Sequence, residues 1–200
     1  DFDISFCYSK FDHEIETAAL SNNKYTIITG YQRDHASLLN KSNAASLRKK
    51  LCDHGAEKII FAIDENSVED SRWHTGHKLQ QDNYSYILEK VLEIPWLGVI
   101  FKPKTPISLR QRLGSINNLL EKAEETGRCY IYEISGQYTS LAPPVLAALS
   151  SDICVSGHLG AGTAALECAL AGLPTLLIDR EGCPESKLYE LPEGKVIFKD

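Results

Sequence analysis

Between Asp152 and Asp179 the chain carries one charged residue, Glu167, in the run SSDICVSGHLGAGTAALECALAGLPTLLID (Ser151–Asp179). The punctuation of this charge-poor stretch says what form it takes. An apolar strand, Ile153–Val155, leads into a small-residue turn, Ser156–Gly162. An alanine-rich helix, a Gly-Leu-Pro stop and a second apolar strand, Thr175–Ile178, follow. Strand, helix and strand in that order make a parallel βαβ unit.

The turn is a candidate anion site. Gly157, Gly160 and Gly162 let the backbone approach a ligand closely. The helix behind them aims unpaired N–H groups and a partial positive charge at whatever sits in front, which suits a phosphate. Thr163, in the first turn, can cap the helix or donate to a phosphate oxygen. Glu167 lies one turn further on the same face, about 6 Å along the axis. A carboxylate there can accept both vicinal hydroxyls of a ribose, so the two features together describe a bound nucleotide. The plainer alternative is an ordinary strand-to-helix connection, since GAGTAA lacks the third glycine of the dinucleotide fingerprint. Glu167 weighs against it, because a buried carboxylate needs a partner: solvent, protein or ligand.

Elsewhere strands alternate with helices. Strands are expected at Ile4–Tyr8, Tyr25–Thr29, Lys58–Ile63, Leu97–Lys102, Cys129–Glu133, Ile153–Val155, Thr175–Ile178 and Lys195–Phe198. Helices are expected at His13–Leu20, Ala44–His54, Asn83–Glu93, Ser108–Glu125, Pro144–Leu149 and Thr163–Ala171. Repeated βα order implies an α/β fold, a Rossmann-like doubly wound parallel sheet with helices on both faces. Ligands in such sheets bind beyond the carboxyl ends of the strands. The residues there are Asp64 and Glu65, then Lys102 and Lys104 of FKPKTP, then Ser156, Gly157 and His158.

Pro103 and Pro106 stiffen the lysine segment, so Lys102 or Lys104 could neutralise a phosphate, with Arg110 and Arg112 close behind. A solvated basic turn is the alternative. His158 could bond a phosphate or sugar hydroxyl, or merely cap the turn. Trp73–His77 lies on an expected long loop that closes over substrate, where His77 could touch a sugar. His74 and His77 form an HxxH pair, but no third metal ligand accompanies it, and no metal is expected.

The six cysteines form no CxxC pair and sit mostly in apolar segments, where they read as structural free thiols. A net charge of −6 argues against nucleic acid as a partner. No apolar run reaches the ~18 residues of a membrane span, and the first residues do not resemble a signal peptide, so a cytoplasmic protein is expected. No nucleophile elbow, HExxH or P-loop is present, which leaves triad hydrolysis without support.

The succession of strand, glycine turn, small-residue helix with a glutamate, Ala-Gly-Leu-Pro and apolar strand resembles the donor-binding domain of glycosyltransferase-B enzymes that build surface polysaccharides such as capsule and O-antigen. KIIFAIDEN is similar to the first strand of that domain, GVIFKPK to the next, and YTIITGYQRDHA to the end of the preceding domain. The resemblance implies the carboxyl-terminal half of a glycosyltransferase-B fold, with residues 1–42 a remnant of the acceptor domain and linker and 43–200 the nucleotide-sugar domain. It maps the donor phosphates to Gly160, Ala161, Gly162 and Thr163 and the ribose to Glu167.

It also implies a fragment of a larger enzyme, at the inner face of a bacterial membrane through its other half. That half would hold the glycan or glycolipid acceptor and any catalytic base, and no residue here is assigned as base. The substrate would be a CMP-, UDP- or GDP-linked sugar, with no tightly bound cofactor. Preorganised N–H groups, Thr163 and a lysine would stabilise charge on the departing nucleotide. Two rivals are a nucleotide-sugar 2-epimerase, which Asp64 and Glu65 would serve as acid and base, and a noncatalytic nucleotide-sugar-binding module.

Overall fold

A computed structural model describes residues 3–19, 22–64, 67–69, 76–133, 142–157, 159, 162–180, 187–190 and 196–199. Residues 1–35 form one unit and residues 36–200 another. In the smaller unit β1 (Ile4–Cys7) and β2 (Tyr25–Ile28) pair in parallel, joined through α1 (Lys10–Ala18). Ser9 and Asp12 cap α1 reciprocally. Cys7 is the one buried apolar side chain among this unit's described residues, and Phe6, Tyr25 and Ile28 stay exposed.

The larger unit begins with α2 (Ala36–Leu39), which packs on α7 (Pro144–Leu149), and α3 (Lys41–Asp53). Its sheet is built from β3 (Lys58–Ile63), β4 (Leu97–Lys102), β5 (Cys129–Ile131), β6 (Ile153–Ser156), β7 (Thr175–Ile178) and β8 (Ile197–Phe198). All six are parallel, in the order β5-β4-β3-β6-β7-β8. Counted from β3, that is 3-2-1-4-5-6, the arrangement of Rossmann-like sheets.

Side chains alternate across the central strands because successive residues of a strand face opposite ways. Ala62, Val99 and Phe101 meet Tyr84, Leu88 and Val91 of α4 (His77–Glu93), Leu109 and Leu113 of α5 (Leu109–Leu113) and Leu120 of α6 (Asn117–Glu125). Ile59, Phe61 and Ile100 meet Leu51 of α3, Ala147 of α7 and Cys168 of α8 (Thr163–Leu170). The sheet is therefore wound on both faces, as the βα order implied.

Helix α1 begins at Lys10 rather than His13 and α3 at Lys41 rather than Ala44, α2 was not expected, and two larger departures have visible causes. The periodicity placed the start of α4 at Asn83, but the helix begins at His77, whose N–H donates to the Glu69 carboxylate at 2.7 Å. The expected helix Ser108–Glu125 is broken at Gly114, where φ is +55°, and Asn117 bridges the break by donating to the carbonyls of Arg110 and Gly114. At the opposite end of the sheet Arg128 Nη1 gathers the carbonyls of Val91, Ile94 and Leu97 at 2.9, 2.9 and 2.5 Å. That closes the end of α4 and its turn into β4.

Candidate functional site

The strand registers bring the chemistry to one level. Ile63 is paired with Lys102 on one side and Ser156 on the other, so Asp64, Pro103 and Gly157 leave the sheet side by side. The gap between β3 and β6 is where the strand order reverses, the place where ligands of open α/β sheets bind. Gly157 leaves room there for the Asn83 side chain, since an added Cβ would lie 2.7 Å from Asn83 Nδ2 on α4. Arg180, just past β7, donates to Asn83 Oδ1 at 2.7 Å. Gly157, Asn83 and Arg180 line the polar end of a cavity of about 550 Å³ whose floor is the apolar sheet face of Ala62, Val155, Ile178 and Phe198. That size suits a small ligand.

The α8 end of the turn is as the sequence placed it, with Gly162 at the N-cap and Thr163, exposed, as the first helical residue. Glu167 is 5% exposed, and of the three partners open to it, the structure shows protein: its Oε2 accepts the Val145 N–H at 3.3 Å. Val145 is in the first turn of α7, so Glu167 fastens that helix start onto α8. His158, Gly160, Ala161 and Glu65 lie outside the described residues, as does most of the expected substrate-closing loop, 65–66 and 70–75.

Asp64 is at the rim by register, yet its carboxylate is buried. It accepts from Gln80 Nε2 and lies 3.7 Å from Arg112 Nη2. Gln80 in turn accepts from Ser67 Oγ at 2.6 Å, and Ser67 Oγ is 2.7 Å from His77 Nδ1. His77 is thus the half-exposed end of a buried polar chain rather than a loop residue. Further along α4, within the electrostatic reach of Asp64, Tyr84 stacks on Phe101. Burial, and next the Asp64 charge, push its hydroxyl well above the usual tyrosine range.

Of the four basic residues near FKPKTP, the two arginines serve the protein itself. Arg112 also donates to Thr105 O and Ser108 Oγ, and Arg110 pairs with Glu133 and Glu124 at 2.9 and 3.2 Å. Lys102 is half-buried and Lys104 exposed at the strand end. Sequence reasoning missed Asn83, Arg180, Ser67 and Gln80. Arg180 follows a strand end like the residues it did single out, and that rule could have found it.

Among the described residues no group of three His, Cys, Asp or Glu side chains is placed to hold a metal ion. No helix of those residues is long and apolar enough to cross a membrane. The described cysteines are all free thiols, buried at Cys7, Cys129, Cys154 and Cys168 and exposed at Cys52. No protein-family model, curated protein or solved structure matches this chain.

Proposed function

We propose that this chain binds a nucleotide-activated sugar at the β3–β6 crevice and is the donor half of a glycosyltransferase-B enzyme of bacterial surface polysaccharide synthesis. The observation that carries the reading is the coincidence of the glycine turn with the strand-order reversal: Ser156 and Gly157 leave β6 at the switch point and lead into α8. The nucleotide phosphates sit before α8, against its first N–H groups and Thr163. Lys102 or Lys104, at the neighbouring strand end, adds positive charge as the leaving group departs. Glu167 takes the ribose in this reading while keeping its bond to α7. The acceptor is a glycan or glycolipid held elsewhere, at the cytoplasmic face of the membrane. The epimerase alternative loses support because Asp64 is engaged with Gln80 and Arg112 inside the protein.

A thermal-shift screen with CMP, UDP, GDP and their sugar conjugates tests the proposal. A true donor at a hundred times its Kd stabilises the fold by about 2.7 kcal/mol. One nucleotide class should raise Tm, and its sugar conjugate should be consumed when acceptor extract is added. Binding without turnover would make the chain a binding module, and no shift with any nucleotide would overturn the reading.

A further inference from the structure

Asp64, Ser67, Gln80 and Arg112 fill a polar chamber behind His77, none of them more than 5% exposed. Such a chamber costs stability that an apolar filling would not. What it delivers is a single arrangement of protons. The Asp64 carboxylate, beside the Arg112 guanidinium, can only accept, so the Gln80 amide must turn Nε2 toward it. Gln80 Oε1, an acceptor, is thereby fixed 2.6 Å from Ser67 Oγ. Ser67 has one hydroxyl hydrogen, and Oε1 takes it. At its 2.7 Å contact with His77 Nδ1, Ser67 can then only accept, as it also does from Arg112 Nη1 at 3.4 Å. Nδ1 therefore carries the proton, and Nε2 of the neutral ring holds the lone pair.

On the Nδ1 side, Glu69 Oε1 accepts the His77 backbone N–H and lies 4.0 Å from Nδ1. Nε2 makes no hydrogen bond among the described residues, and the side chain is 33% exposed. His77 opens the helix whose Asn83 touches Gly157, six residues or about 9 Å along the axis. We infer that His77 presents Nε2 as an acceptor for a hydroxyl of the bound sugar, with Ser67, Gln80 and Asp64 as positioning residues that lock its tautomer. The identity of the ligand rests on the proposed function; the tautomer does not.

Long-range ¹H–¹⁵N correlation spectra of the ligand-free chain above the histidine titration read the tautomer directly. The Nδ1-protonated form is expected for His77, and Ser67→Ala should let the Nε2-protonated form appear. An Nε2-protonated ring in the unsubstituted chain overturns the inference. Titration with CMP, UDP and GDP and with CMP-N-acetylneuraminate, UDP-glucose and GDP-mannose reads the sugar contact. His77→Asn keeps a donor for Ser67 but has no counterpart of Nε2. It should bind the preferred sugar conjugate about tenfold more weakly and the bare nucleotide equally well. Equal loss for both ligands, or no loss, overturns the sugar contact. If no nucleotide binds the unsubstituted chain, the proposed function fails together with the sugar contact, and the tautomer lock is still decided by the spectra.

Discussion

Glu167 and Val145 join two helices that the sequence gives no reason to connect: a carboxylate on α8 accepts the backbone N–H of the first turn of α7 at 3.3 Å. Pro143 and Pro144 open α7, and no side chain at its N-cap bonds to the helix. The buried acid therefore does the work of a cap from a distance.

Glu167→Ala should lower stability by about 1–2 kcal/mol, the usual cost of losing a helix cap, read by urea unfolding. Glu167→Gln keeps an acceptor for Val145 and should stay within about 1 kcal/mol of the parent. If the ribose also rests on this carboxylate, the Gln variant binds nucleotide more weakly by about 1–3 kcal/mol despite its stability. Unchanged affinity in the folded Gln variant would leave Glu167 a purely structural residue.

Asp152 sets the acid limb of stability. Burial alone would raise its carboxyl, but Arg48, at 3.0 Å, the Ile59 N–H at 2.8 Å and Lys58 outweigh that and hold it below the usual carboxylate range. A lowered folded-state value stabilises above the unfolded value near 3.9 and is lost as pH falls through the folded one. Asp152→Asn should cost about 1–3 kcal/mol at pH 7. The gap to the parent should close below about pH 4, measured by urea unfolding at stepped pH. A gap that persists to pH 2 would contradict this assignment.

The strands were legible because each is a run of β-branched or apolar residues between polar turns, and the central ones needed no partner information to be placed. The site was legible only as far as its backbone. Asp64 stood out as a carboxylate at a strand end, but its burial depends on Arg112, which arrives from the helix after the next strand. The start of α4 was hidden for the same reason, since Glu69 receives its first N–H from outside the helix. Glu167 was recognised as an acid in need of a partner, and the partner turned out to be a backbone amide that no side-chain pattern encodes.

Two glycines should respond oppositely to the same substitution. In Gly98→Ala the new Cβ would lie 2.9 Å from Ala56 Cβ and 3.2 Å from Arg128 O, at the packed amino-terminal end of β4, where the obstacles are a short buried side chain and backbone rather than the end of a flexible side chain. A loss of about 1–3 kcal/mol with unaltered nucleotide affinity of the folded fraction is expected. In Gly157→Ala the obstacle is the end of the Asn83 side chain, which can swing away from Arg180. Stability should fall by about 1 kcal/mol at most, while nucleotide affinity drops because the rim is rearranged. Paired denaturation and binding measurements on the two variants separate these outcomes.

Thiol reactivity should rank the packing of the two units. Among the described cysteines, Cys52 is exposed on α3 and should be alkylated first by iodoacetamide. Cys7 is buried, but it is the only buried apolar side chain among the described residues of the smaller unit, so a modest local opening exposes it. Cys129, Cys154 and Cys168 lie in the two-sided core of the larger unit. Burial raises the Cys129 thiol, and the hydrogen bond with Cys154, followed by burial, raises that of Cys168, so both remain protonated where the thiolate is the reactive form. Peptide mass spectrometry after timed alkylation at pH 8 should give the order Cys52, then Cys7, then the three core thiols, and urea should remove the differences. Labelling of Cys168 as fast as Cys52 in the native protein would mean that α8 does not seal the sheet beneath it, and the packing that places the glycine turn would have to be abandoned.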